Sequence, residues 1–280
     1  MGKWFAGFDA TDYTRSHQTN FHKKACRIMK SKNSKFELTP DAILVDMDNT
    51  LYPYEAAHEA GLEELEKKLS TMLPVSRVEF RDAYHTARKT IKSRLQNTAS
   101  SHSRILYMQR LLETLGLGSQ VLMALDLEQA YWQSFLNNAH LFDDAKDFLQ
   151  DARGLGIPLI NVTDLTAQIQ FRKIVYFGLE GYFDCIVTSE EAGFDKPHPT
   201  IFELAIEKTQ PKGSVFWMIG DNNQNDLCGA RDSIGAITIQ KIHRGVLRGQ
   251  GENKADFEFK HYRELIKILK QSSKHKLQDE

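Results

Sequence analysis

Between residues 141 and 270 short apolar runs alternate with amphipathic segments, and this alternation restricts the fold more than any other feature of the chain. The runs fall at 157–162, 185–188, 215–219, 236–240 and 256–259. Helical spacing falls at 143–153, 167–177, 200–208 and 262–270. Strands joined by helical crossovers pair in parallel, through right-handed connections. One further apolar run, Ala42, Ile43, Leu44 and Val45, stands upstream and suits a strand buried on both faces of such a sheet. The expected fold class is therefore α/β with a parallel sheet.

The first strand is separated from the rest by residues 54–140, where apolar residues recur at intervals of three and four: Leu62, Leu65 and Leu69, then Ile105, Met108, Leu111, Leu112 and Leu115. Turn-like breaks occur at Leu73-Pro74, at 97–101 and at 116–118, with no strand signal between them. Tyr131, Trp132 and Phe135 are expected in the core of this insertion. The organisation read from the chain is a basic N-terminal extension (1–38), a core (39–53 and 141–270), a helical insertion (54–140) and a polar, disordered tail (271–280). The extension carries eight Lys/Arg against three Asp/Glu, which suits either a segment resting on the core or one that meets an anionic partner.

Composition excludes several classes. A net charge of -1 over 280 residues gives no reason to expect nucleic acid or a membrane surface as the main partner. Cys26, Cys185 and Cys228 show no paired spacing, which argues against a disulfide framework or zinc site and fits a reducing cytoplasm. No window approaches the length and apolarity of a membrane span.

Four core segments carry groups suited to phosphate chemistry. The first strand ends in Asp46-Met47-Asp48-Asn49-Thr50, the next in Thr163, a loop holds Lys196-Pro197, and a later strand ends in Gly220-Asp221 with Asp226 following. Ligands of open parallel sheets bind beyond the carboxyl ends of the strands, where these groups stand. A carboxylate can attack phosphorus directly and divide a hydrolysis into two displacements, and Asp46 is best placed to do so. Asp48, two residues on, can reach the ester oxygen as general acid and then base, a role that calls for a raised pKa. Mg²⁺ prefers hard oxygen ligands; Asp46, Asp221, Asp226 and the backbone carbonyl of Asp48 could supply them, with Asp226 direct or through water. Thr163 and Lys196 are placed to bind the phosphoryl oxygens.

The order Asp-x-Asp-x-Thr-Leu, strand-terminal Thr, Lys-Pro and Gly-Asp-x4-Asp resembles the haloacid dehalogenase superfamily of phosphohydrolases. The resemblance spans about residues 41–270. It implies a Rossmann-like core, a small helical cap that opens and closes, Mg²⁺, and an aspartyl phosphate on Asp46 with Asp48 as acid/base. Thr163 and Lys196 would be phosphate ligands, and Asp221 and Asp226 would stand at the metal. The wording Asp-Asn-Thr-Leu-Tyr-Pro is similar to the pyrimidine 5′-nucleotidase branch. The expected activity is hydrolysis of a small phosphorylated metabolite, a nucleotide or sugar phosphate; a phosphomutase and a catalytically idle phosphate-binding or scaffold protein are the alternatives. Asp48 argues against carbon–halogen cleavage, which needs no proton donor.

Some positions stay open. Asp164-Leu165 stands where many members carry Asn-Gly, and Asp164 is expected to turn its side chain to solvent or a helix N-terminus. Arg104, Tyr107 and Arg110, spaced by threes, suit a solvated helix face, with a cationic face over the substrate as the alternative and His102 beside them. Tyr52 and Pro53 suit a hinge or gate. His198 reads as a loop residue rather than a metal ligand.

Overall fold

A computed structural model describes residues 36–276. Most of the expected N-terminal extension, residues 1–35, and the end of the expected tail, residues 277–280, lie outside the described residues. Pro40–Lys270 forms a unit of its own, and the sheet, the helical insert and the candidate site all belong to it.

Six strands, β1 (Ala42–Val45), β2 (Leu159–Thr163), β3 (Cys185–Thr188), β4 (Phe216–Gly220), β5 (Ile237–Lys241) and β6 (Phe257–Phe259), pair wholly in parallel in the order β3-β2-β1-β4-β5-β6. The α/β class read from the chain and the Rossmann-like core that the resemblance implies are observed. β1 is central, which explains its unbroken run of apolar residues: all four are fully buried between layers of helices. The chain leaves β1 for β2 on one side and returns to β4 on the other, so the order reverses between β1 and β4. A crevice opens at such a reversal, beyond the carboxyl ends of the two strands. Asp46 and Asp221 stand directly there. Strand ends differ from the sequence reading by one or two residues. β2 begins after Pro158, which lacks an amide donor for a central strand.

Between β1 and β2 lie α1 (Tyr54–Met72), α2 (Arg77–Leu95), α3 (Arg104–Thr114) and α4 (Val121–Asn137). α1 packs on α4 and α2 on α3. Local signals fix the helix starts: Ser76 and Glu79 form a reciprocal capping box on α2, and Ser103 caps α3. A short 3-10 turn, Ala99–His102, occupies the polar break between them. Tyr131, Trp132 and Phe135 are buried as expected. Tyr52 is fully buried, 4.9 Å from the Phe177 ring and 6.2 Å from Phe135, so it joins core to insert as an aromatic wedge. The amide of Phe142 donates to the Leu51 carbonyl at 2.8 Å, which ties the exit of the insert to its entrance.

The remaining helices are α5 (Ala145–Gly154), α6 (Ala167–Phe177), α7 (Ser189–Ala192), α8 (Pro199–Thr209), α9 (Gly229–Ile234) and α10 (Tyr262–Lys276). α10 corrects the tail reading, since it runs six residues beyond Lys270. No glycine or proline interrupts 271–276, so nothing in the backbone ends the helix there.

Candidate active site

Asp46 is the first residue past β1, and its amide donates to the Ile219 carbonyl at 2.9 Å, holding it between β1 and β4. Its carboxylate accepts from Lys196 Nζ at 2.6 Å on Oδ1 and from Thr50 Oγ1 at 2.8 Å on Oδ2. Lys196 reaches in from the loop before α8 and bridges Asp46 to Asp226, whose Oδ1 is 2.7 Å from Nζ. The other Asp226 oxygen accepts from the Asn222 amide at 2.9 Å. A Cβ on Gly220 would lie 2.5 Å from the Asp226 carboxylate, so only glycine lets that carboxylate fold back on the end of β4. Thr163, at the end of β2, is buried and faces the same cavity. The structure thus brings Asp46, Asp48, Thr163, Lys196, Asp221 and Asp226 together around one cavity of about 370 Å³.

The turn after β1 also depends on a side chain able to adopt left-handed backbone. Asn49 has φ 63°, and its Oδ1 accepts from the Tyr54 amide at 3.0 Å, so it both makes the turn and satisfies the first amide of α1, whose N-cap, Pro53, has no side-chain acceptor.

Asp48 differs from its expectation. Both its oxygens accept from Lys173 Nζ, at 2.7 and 2.8 Å, and Tyr52 donates its hydroxyl to Oδ1 at 2.5 Å. Burial opposes its charge, but the Lys173 ammonium and these hydrogen bonds hold its pKa below the ordinary carboxylate value, not above it. Lys173 is fully buried on α6 and faces the rings of Tyr52, Trp132 and Phe135.

Two further expectations are corrected. Asp164 does not turn to solvent: it lines the cavity, and its Oδ1 accepts from the Lys196 amide at 2.8 Å, fixing the lysine loop. Leu165, where glycine would be at ease, has φ 99°, a backbone conformation that strains any side chain. Arg104 and Tyr107 do not form a solvated face. Both are buried and line the cavity, whereas Arg110 pairs with Glu113 at 3.0 Å away from it. His198 caps α8, as a loop residue would.

One oxygen from each of Asp46, Asp221 and Asp226 lies within 4.8 Å of the others. Burial, opposed by Lys196 and reinforced by Asp226, raises Asp46 to about 7; burial with repulsion from Asp226 and Asp46 raises Asp221 to about 8. Three hard oxygen donors sharing one ammonium fit a divalent cation, which would relieve their repulsion. A pH dependence follows. Unfolded, these acids hold protons only below about 3.8, so from there to about 8 the folded state binds more protons and stability falls as pH rises. In EDTA the melting temperature is expected to drop between about pH 5 and pH 8, and Mg²⁺ to flatten the drop. Melting curves across that range test it; a metal-free melting temperature that climbs with pH would show the carboxylates are not crowded.

Sequence reading passed over Lys173, Arg88 and Lys92. Lys173 sits between Ile169 and Phe177 at intervals of four, on the apolar face of α6, and a lysine at such a position is the signal that was available. Arg88 and Lys92 share one face of α2 and line the cavity.

Comparison with known proteins places the chain in a known setting. Residues 40–233 match the haloacid dehalogenase-like hydrolase family model. A ribulose-1,5-bisphosphate 5-phosphatase of Halopiger xanaduensis is 35% identical over 199 residues, covering 71% of this chain and 83% of its own. A glyceraldehyde 3-phosphate phosphatase of Methanopyrus kandleri is 27% identical, covering 83% and 98%. The crystal structure of a phosphatase from Thermococcus onnurineus superposes with a TM-score of 0.63 at 26% identity, covering 81% of this chain and 97% of the other. Among the described residues no helix is long and apolar enough to cross a membrane.

Proposed function

The chain belongs to the haloacid dehalogenase-like hydrolases and is a phosphatase, and on that premise we propose that it is a Mg²⁺-dependent phosphomonoesterase working through an aspartyl phosphate on Asp46. The observation that carries this reading is the convergence of Asp46, Thr163, Lys196, Asp221 and Asp226 on one cavity at the sheet's reversal point. Asp46, Asp221 and Asp226 would hold Mg²⁺ with the Asp48 backbone carbonyl, and the ion would supply charge stabilisation to the phosphoryl group. The relatives' substrates support a small phosphorylated metabolite as the ligand. Helices α1 to α4 would act as the cap. Three cysteines without paired spacing and a near-zero net charge suit a cytoplasmic enzyme that has no need of nucleic acid.

In the first half-reaction the Asp46 carboxylate attacks phosphorus, and the bond from phosphorus to the ester oxygen breaks. Thr163 and Lys196 hold the phosphoryl oxygens. The departing oxygen needs a proton, which the ionised Asp48 must first take up. A monoester bound as its monoanion carries such a proton, and Asp48 can pass it on. In the second half Asp48 accepts a proton from the water that attacks the acyl phosphate, freeing Asp46 and inorganic phosphate. Lys173 and Tyr52 aim Asp48 throughout.

Asp48→Asn is expected to lower kcat by about 10²- to 10⁴-fold on p-nitrophenyl phosphate while Mg²⁺ affinity, read by calorimetry, stays within about threefold. Loss of Mg²⁺ binding would instead give the Asp48 side chain to the metal and take proton transfer away from it.

A further inference from the structure

The helical insert turns cations toward the cavity. Arg88 and Lys92 lie four residues apart on α2 and face a floor made by Asp46, Thr163 and Lys196. Arg104 lines the wall behind them. Its guanidinium is buried, Nη1 donates to the His102 carbonyl at 2.6 Å and Nη2 to the Tyr54 hydroxyl, Nε has no partner, and no carboxylate among the described residues pairs with it. Rings of Tyr107, Tyr131 and Trp132 surround it at 5.2 to 5.4 Å.

The other two cations are no better answered. Arg88 makes no hydrogen bond or ion pair among the described residues, and its exposed head stands at the cavity. Lys92 Nζ comes only to 3.5 Å from His102 Nδ1, and the other nitrogen of that ring is engaged by Asp195 at 3.0 Å. Burial, then Arg88 and Arg104, press the Lys92 pKa below its ordinary value, with Asp195 and Asp164 pulling back in part. Of the cavity's carboxylates, Asp48 is taken by Lys173 and Asp46 and Asp226 by Lys196, while Asp164 accepts the Lys196 amide and Asp221 stands with the candidate metal group. Protein groups therefore leave the floor in excess of negative charge and the wall above it in excess of positive charge. A ligand would complete the second as a metal would complete the first.

We propose that Arg88 and Lys92, backed by Arg104, bind a second phosphate of the substrate, so that the enzyme acts on compact molecules carrying two phosphate groups, one at Asp46 and one under the insert. The proposal rests on the phosphatase reading above. A phosphate dianion answers two free cations and accepts the forked donors of a guanidinium, whereas a carboxylate answers one charge. The transferring group already has Thr163 and Lys196, so the insert's cations are surplus to it. A volume of about 370 Å³ lies near the lower bound for small-molecule sites and favours a short chain over a nucleotide.

Three esters of one five-carbon chain test it: the monophosphate of pentane-1,5-diol, its bisphosphate, and 5-phosphopentanoate, which ends in a carboxylate. With Mg²⁺, kcat/KM for the bisphosphate is expected to exceed that of the monophosphate by about 30-fold or more, and the Arg88→Gln, Lys92→Gln double variant to bring that ratio within about threefold of one. Calorimetric binding of the same esters to Asp46→Asn gives the ratio without turnover. Equal values for mono- and bisphosphate, a ratio that survives the double substitution, or a preference for the carboxylate ester overturns the second-phosphate site and leaves the phosphatase reading standing. Failure of the unmodified enzyme on all three esters and on p-nitrophenyl phosphate sinks that reading, and the proposal with it.

Discussion

Asp46→Asn is expected to lower kcat on p-nitrophenyl phosphate by about 10⁴-fold or more, with the fold left in place. The amide keeps the shape of the carboxylate but has no lone pair basic enough to attack phosphorus. Its effect on stability should have the opposite sign. Asp46 is a buried acid raised by its surroundings, and Lys196 keeps Asp226 as a partner when the Asp46 charge is removed. In EDTA near neutral pH the variant is therefore expected to melt no lower than the parent, and circular dichroism with a melting curve separates lost chemistry from lost structure. Turnover within about tenfold of the parent would remove Asp46 from the covalent step.

Lys196→Met is expected to cost both activity and stability. The ammonium is buried with Asp46 on one side and Asp226 on the other, and Asp164 braces its backbone. Burial disfavours its charge, but Asp226 and Asp46 hold its pKa well above the ordinary lysine value, so it is the cation the cluster depends on. Taking one partner out of a buried ion pair costs about 3 to 5 kcal/mol. For a chain of this size that corresponds to a fall in melting temperature on the order of 10 °C in EDTA. Mg²⁺ should restore part of it, because the ion supplies positive charge among the same carboxylates. Activity should fall by about 10²- to 10³-fold even with saturating Mg²⁺, since a donor proposed for the phosphoryl oxygens is gone. A melting temperature unchanged in EDTA would mean that the three acids relax without Lys196.

What could be read from the chain and what could not divide along physical lines. The parallel sheet was legible because each buried strand is a run of apolar residues and each crossover is periodic, both properties of contiguous residues. Asp46, Asp48, Thr163 and Asp221 were legible for a related reason: they stand at or just past the ends of those runs, and strand ends share one side of a parallel sheet. Charge state was not legible. Asp48 is held ionised by Lys173, which lies 125 residues away on another element. Nothing near Asp48 in sequence announces that partner.

Side-chain direction was also hidden. Asp164 faces the cavity because the Lys196 amide offers a hydrogen bond there, a relation between two loops 32 residues apart. Arg104 presents the same difficulty within the insert. A spacing of three puts it on one helix face with Tyr107 and Arg110, but burial depends on what each position meets, and at the first turn of α3 the Tyr131 and Trp132 rings of α4 lie around the guanidinium. Arg110, two turns later, reaches Glu113 instead. The α10 helix runs past its expected end for a simpler reason: polar composition alone does not stop a helix where no helix breaker stands.

Covalent capture at Asp46 is the most direct test of the chemistry assigned to the site. The enzyme is mixed with p-nitrophenyl phosphate and Mg²⁺, quenched in acid within a single turnover, and digested for mass spectrometry. The expected result is one phosphoryl group on the peptide that contains Asp46, absent from Asp46→Asn and enriched in Asp48→Asn, where hydrolysis of the acyl phosphate is slowed. Rapid turnover with no phosphorylated peptide, or a phosphoryl group on any other residue, would mean that Asp46 is not the nucleophile.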